Sequence, residues 1–235
     1  MTDTSFLNWP FFEDRHRALA SELEAWCIAH LPADHKDVDK ACRDLVNILG
    51  AQGWLKYTGA STGEKLDVRA LCLIRETLAR HDGLADFVFA MQGLGMGAVS
   101  LFGTTKQRCL LKHTRSGNMI AGFALTEPAS GSDVAATTTT AIQTQDGWLL
   151  NGEKTWISNG GIADVYIIFA RTGEAPANKG LSAFVMPANV PGLTVEERLE
   201  VISPHPLARL ALRDVCLPSD ALIGYPSQGF KIAMS

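Results

Sequence analysis

The sequence predicts an α+β chain: an N-terminal all-helical domain (residues 1–117), then a middle β-barrel domain (118–226), then the opening of a further helical element (227–235). Three observations predict it. Before Ser116-Gly117-Asn118, apolar residues recur at the period of a helix face. After it, short β-branched and aromatic runs alternate with tight turn signals. At the end, PSQGFKIAMS reads as a glycine followed by the first turn of a helix, and the chain stops inside that element, so a further segment is expected to be missing.

The elements follow in order. Leu19, Leu23, Trp26 and Cys27 share one face of a helix from Glu13 to about Leu31, and Pro32 stops it. A second helix is expected from Asp37 to Trp54, with Ala41, Leu45, Ile48 and Leu49 on one face. A third runs from Asp67 to Arg80, with Asp67 as N-cap and Leu71, Ile74 and Leu78 on one side. A fourth covers Phe87 to Phe102, and a fifth begins at Thr104 or Thr105 and ends near Arg115. Strands are expected over Thr137–Thr144, Trp148–Leu150, Lys154–Ile157, Val165–Thr172, Leu181–Pro187, Leu193–Glu196 and Leu207–Leu212. Asp146-Gly147 and Asn151-Gly152 both read as hairpin turns. The run of four threonines suits a pleated surface.

Composition excludes several classes. With 46% apolar and 20% charged residues, the chain is an ordinary globular sequence able to bury a core. A net charge of −4 gives no electrostatic reason to expect nucleic acid or an anionic membrane surface. The strongest apolar run, Val165 to Ala170, is a buried strand, and no membrane span is expected. MTDTSFLNWPFFEDRHRALA has neither the apolar stretch of a signal peptide nor the character of a transit peptide. The five cysteines are scattered without Cys-x-x-Cys, which points to free thiols in a reducing compartment, the cytoplasm, and to no zinc site. Gly93, Gly95 and Gly97 follow no strand, so they make a poor nicotinamide-binding loop. Ser130 and Ser132 lack the Gly-x-Ser-x-Gly frame of a hydrolase elbow.

What remains is Phe123 to Ala141, FALTEPASGSDVAATTTTA. So many small polar groups in one turn make either a solvated connection or a cradle. A flavin ring asks for an apolar platform, a hydroxyl near N5, and donors near N1 and the C2 carbonyl. Thr126 sits in a strand-ending turn, and strand alternation puts Trp156 and Ser158 on one face. Gly131-Ser132-Asp133 offers backbone donors and a hydroxyl. Each has a plainer reading. Trp156 alone reads as a core aromatic, Ser158-Asn159-Gly160-Gly161 as a turn, Ser132-Asp133 as a cap, and Glu127 as a solvated loop acid. Residue types alone reach no further than a ligand cradle.

The combination goes further. FALTEPASGSDVAATTTTA followed by GWLLNGEKTWISNGGIADVYIIFART resembles, in order and spacing, the paired signature segments of the acyl-CoA dehydrogenase family. LNWPFFEDRHRALASELEAW and LALRDVCLP…IGYPSQGFKIAMS are similar to the family's N-terminal helix and to its exit from the middle domain. The resemblance implies a helical domain, a middle β-barrel and a C-terminal four-helix bundle, the last absent here. It implies FAD, with Phe123, Leu125, Thr126, Gly131, Ser132, Trp156, Ile157 and Ser158 as cofactor-binding residues. Leu125 and Thr126 would meet the pyrimidine edge, the Ser158 hydroxyl would lie near N5, and Ser132 would also touch the substrate's pantetheine arm. Phe123 stands where tyrosine is common, Ser158 where threonine is, and Ala129-Ser130 replaces a common Gly-Ala. The family's catalytic glutamate belongs to the C-terminal domain, so no catalytic residue is expected in this chain, and Glu127 is not assigned that role.

The implied reaction is α,β-dehydrogenation of an acyl-CoA, or of an acyl carrier protein thioester. Electron-transfer flavoprotein is the implied acceptor, and the complete protein is expected to be a homo-oligomer. On this reading the isolated chain is catalytically incompetent. The alternatives are a non-catalytic flavin- and acyl-CoA-binding portion that needs a partner chain, or a related flavin oxidase, monooxygenase or carrier-protein dehydrogenase. Phe87, Phe89, Met91 and Leu94 are either acyl-pocket or ordinary core residues, and His205 and Arg209 either CoA-phosphate ligands or surface.

Overall fold

The computed structural model describes residues 3–60, 65–173 and 177–235. Helix α1 (Asp14–His30) buries His16, Leu19, Leu23, Trp26 and Cys27 on one face. Helix α2 (Val38–Ala51) starts where Asp37 accepts the Lys40 N–H at 3.0 Å. It stops short of Trp54 because Gly53, at φ 79°, turns the chain into a 3-10 segment, Trp54–Thr58. Asp67 caps α3 (Val68–His81) as expected, accepting the Ala70 N–H at 3.1 Å. Helix α4 (Gly83–Phe102) begins earlier than its apolar pattern suggested, because Asp82 accepts the Leu84 N–H at 2.8 Å and caps it there. The expected fifth helix is two, α5 (Thr105–Arg108) and α6 (Leu110–Arg115), interrupted at Cys109.

The strands are β1 (Ala121–Ala124), β2 (Thr140–Gln143), β3 (Gly147–Ser158), β4 (Val165–Arg171), β5 (Leu181–Pro187), β6 (Leu193–Arg198), β7 (Leu207–Pro218) and β8 (Leu222–Ile223). They form one eight-stranded sheet in the order β6-β7-β3-β2-β4-β5-β8, with β1 added in parallel to β4. Asp146-Gly147 does turn β2 into β3, closed by the Thr144 N–H on the Gly147 carbonyl at 2.8 Å. Asn151-Gly152 does not make the hairpin its sequence suggested; β3 runs straight through it. There the pairing with β7 slips between Leu150 and Gly152, and the Asn151 amide is engaged with Asp214 across the strands. A Cβ on Gly152, at φ 151°, would lie 2.5 Å from Thr139 Oγ1, so the glycine serves a bulge and a close approach.

Helix α4 joins the two layers. By length and composition it is apolar enough to cross a membrane, yet half of its most apolar stretch is buried inside this fold. It lies so close to β1 that a Cβ on Gly95 would stand 2.6 Å from the Ala121 Cβ. Buried Gln92 donates to the Thr114 and Met119 carbonyls at 3.0 and 2.8 Å and accepts the Ala121 N–H at 2.8 Å, stitching helix to sheet. One continuous core runs from Leu23 of α1 to Leu150, Phe184 and Leu210 of the sheet. A second, around Val99, Ile167 and Phe169, reaches Ile232 of the last helix, α7 (Gly229–Ala233).

Candidate functional site

Strand β1 delivers Leu125 and Thr126 alongside β3. The Thr155 N–H donates to the Thr126 carbonyl at 3.0 Å, and Lys154 Nζ donates to the Leu125 carbonyl at 3.0 Å. The chain then turns through Glu127-Pro128-Ala129-Ser130, closed by backbone hydrogen bonds between Glu127 and Ser130 at 2.9 and 3.1 Å.

Glu127 is not the solvated acid its loop position suggested. It is 3% exposed, and its carboxylate meets Lys154 Nζ at 2.8 Å, a lysine with no exposed surface. The same carboxylate accepts the Thr138 N–H and hydroxyl, both at 2.7 Å, and the Thr139 N–H at 3.0 Å. The threonine run therefore supplies donors to a buried anion. Burial alone would push the Glu127 carboxyl up; the Lys154 ammonium, then the hydrogen bonds from Lys154, Thr139 and Thr138, outweigh it and hold the pKa down at about 2. Burial pushes the Lys154 ammonium down to about 8, with Glu127 opposing.

Immediately beyond this pair, β3 bulges. Lys154 faces Leu210 and Ile157 faces Ala208, so Thr155 and Trp156 together oppose one residue of β7. Trp156 takes φ 58°, a left-handed conformation costly for a bulky side chain, and is 56% exposed. The core reading of Trp156 is thereby overturned. Ser158 is half-buried, and Ile157 between them is buried in the core, leaving only its backbone for a ligand. Asn159 follows at φ 60° and is buried; its Nδ2 donates to the Ala121 carbonyl at 2.8 Å and its N–H to the Pro206 carbonyl at 2.8 Å. The segment from Asn159 to Gly161 is indeed a turn, and it pins the end of β3 to β1.

Gly131 and Ser132 are exposed beyond the turn, and a Cβ on Gly131 would meet nothing within 4 Å. The Ser130 hydroxyl donates to the Asp133 carbonyl at 2.8 Å, and Asp133 makes no side-chain cap to the short 3-10 segment that follows. Among the described residues, no hydrogen bond joins Gly131 or Ser132 to Trp156 or Ser158. The Phe123 ring tilts against Phe169, 5.0 Å between centroids, and walls an apolar cavity of about 330 Å³. Phe89, Gly93, Leu94 and Gly97 of α4 and Ile232 of α7 share that wall. Of the four residues weighed as acyl pocket, Phe89 and Leu94 line the cavity; Phe87 packs on the His205 ring at 4.5 Å. Arg209 is paired with Glu153 at 3.3 Å.

Two features escaped the sequence reading: the Lys154–Glu127 pair and the left-handed bulge. The opposite charges flanking the turn and the strand were a signal for the first. Nothing in GEKTWIS marked the second.

The chain matches the family models described as acyl-CoA dehydrogenase, N-terminal domain, over residues 13–113, and acyl-CoA dehydrogenase, middle domain, over residues 122–215. It is 38% identical over 177 residues to the mitochondrial short-chain specific acyl-CoA dehydrogenase of Homo sapiens, covering 73% of this chain and 43% of that protein. It is 36% identical over 210 residues to the short-chain specific acyl-CoA dehydrogenase of Megasphaera elsdenii, covering 86% of this chain and 55% of that one. Among solved structures it is similar to an acyl-CoA dehydrogenase from Bacillus anthracis complexed with FAD: TM-score 0.83, 28% identity, 95% of this chain and 40% of that chain. The chain thus spans about half the length of the curated relatives it matches. Helical layer, sheet, paired segments and both family models agree, and the chain belongs to the acyl-CoA dehydrogenase family, of which it carries the N-terminal and middle domains.

Proposed function

We propose that this chain forms the flavin-facing and acyl-facing part of an FAD-dependent acyl-CoA dehydrogenase that oxidises a short acyl thioester between its α and β carbons, with electron-transfer flavoprotein as acceptor. The observation that carries the reading is Trp156, an indole kept out of the core at φ 58° and 56% exposed. Non-glycine residues persist in that conformation where the surrounding structure over-determines them, which is typical of ligand clamps.

The residues fit the cofactor. Trp156 offers an apolar platform, the half-buried Ser158 a hydroxyl beside it, and Leu125 with Thr126 an edge tied to the same strand. Gly131 and Ser132 leave room and donors for a diphosphate or a pantetheine amide. Bound FAD would supply the two-electron acceptor. The cavity behind Phe123, apolar along α4, suits the acyl tail, and the short-chain relatives favour a small one. Among the described residues no carboxylate lines that cavity, and Glu127 is locked in its ion pair. These groups bind and orient; they do not take the α proton. The free thiols fit a cytoplasmic location.

Titration with FAD, followed by quenching of flavin fluorescence, tests the proposal. Binding is expected, and Trp156→Ala should weaken it. Unquenched flavin, or a Trp156→Ala chain that binds equally well, would overturn it. Dye reduction by the chain with an acyl-CoA panel is expected to be absent.

A further inference from the structure

We infer that the buried Lys154–Glu127 pair is a positioning device for the flavin platform: it fixes the bulge bearing Trp156 against Leu125-Thr126. The inference rests on the flavin reading above.

Stability alone does not account for the pair. Replacing a buried ion pair by apolar side chains of similar shape is often neutral or stabilising, so what the charges supply is direction. Both side chains are buried, at 0% and 2% exposure, and neither is presented to a ligand. Their bonds tie three separate segments together. Lys154 holds the Leu125 carbonyl at 3.0 Å and Glu127 at 2.8 Å; Glu127 holds Thr138 at 2.7 Å and Thr139 at 3.0 Å. Lys154 is also the last residue in register with β7 before the slip that lifts Trp156 outward. The residue between them, Thr155, donates its N–H to Thr126 at 3.0 Å, so the bulge is clamped to the turn at two successive positions. A left-handed tryptophan has no local reason to stay where it is, and these bonds supply one. A supporting shell of this kind acts through the groups it orients.

The test uses the full chain with FAD as the probe and compares Lys154→Met, Glu127→Gln and the double variant. Each single variant strands a buried charge and risks unfolding; the double variant carries none, so it decides the question. The readouts are apo-chain melting temperature, FAD dissociation constant, and the near-ultraviolet circular dichroism band assigned to Trp156 by comparison with Trp156→Phe. The double variant is expected to melt below the parent but stay folded, because the Leu125 carbonyl and one of the Thr138 and Thr139 donors lose a partner. It is expected to lose that band and to bind FAD about tenfold or more weaker, as when the partners that orient a metal's ligands are removed. A double variant that keeps the parent's band and FAD affinity would leave the pair as packing only and overturn the inference. A parent chain that does not bind FAD would instead overturn the flavin reading, and this inference with it.

Discussion

The backbone of Trp156 is held against its own preference. At φ 58° its Cβ crowds the neighbouring carbonyl, an arrangement glycine tolerates and tryptophan does not. Trp156→Gly should therefore relieve about 1 kcal/mol of strain, raising the melting temperature by about 2–4 °C for a chain of this size, while FAD binding falls. Calorimetry and flavin titration on the same sample check the two opposite changes. At Glu127, truncating the partner is the severe change: Lys154→Ala is expected to cost about 3–5 kcal/mol in urea unfolding, because it leaves a buried carboxylate uncompensated. The acid limb follows from the same residue. Its folded pKa is depressed, about 2 against 4.5, so its contribution is fully present above pH 4.5 and is lost as the pH falls towards 2. Melting temperatures between pH 6 and pH 2 should fall along that limb, and the fall should be shallower in the double variant Lys154→Met with Glu127→Gln, which carries no buried charge. The acid's role was illegible from its own neighbourhood for a physical reason. Glu-Pro in a polar turn is a solvated pattern, and its partner lies 27 residues away, across a pairing that only the sheet creates.

Within α4, neighbouring glycines do opposite jobs. Gly95 faces β1 with no room for a side chain, whereas a Cβ on Gly97 would point into open space at the cavity. Gly95→Ala is expected to destabilise by about 1–3 kcal/mol through overpacking. Gly97→Ala should stabilise by about 0.4–1 kcal/mol, because alanine restricts the unfolded chain and clashes with nothing. Chemical denaturation of the pair separates them. The helices were the most legible part of the sequence, since a repeating apolar face survives whatever it packs on; Leu45 and Leu49, Ile74 and Leu78 are all buried as read. Strands were read less well where local chemistry and distant pairing disagreed. Asn151-Gly152 has the residues of a tight turn, but β7 pairs on both sides of it and keeps the strand going. The candidate site inherits the same limit: alternation singled out Trp156 and Ser158, while nothing local marked the bulge that turns the indole outward.

At the scale of the molecule, helices and sheet share a core, so they should unfold together. A single coincident transition by circular dichroism and tryptophan fluorescence is expected. Gln92→Leu should lower it by about 3 kcal/mol by stranding the Thr114 and Met119 carbonyls and the Ala121 N–H; two separated transitions would contradict the shared core. Phe123 walls the cavity and packs, with Leu125, against the core built around Val99 and Ile167. That cavity is closed on one side by α7, seated so tightly on β5 that a Cβ on Gly229 would lie 2.6 Å from the Leu181–Ser182 backbone. Ile232, Ala233 and Ser235 thereby become part of its rim, while among the described residues none before Thr58 does. A bulkier side chain at Ala233 would therefore narrow the mouth of that space from its α7 side.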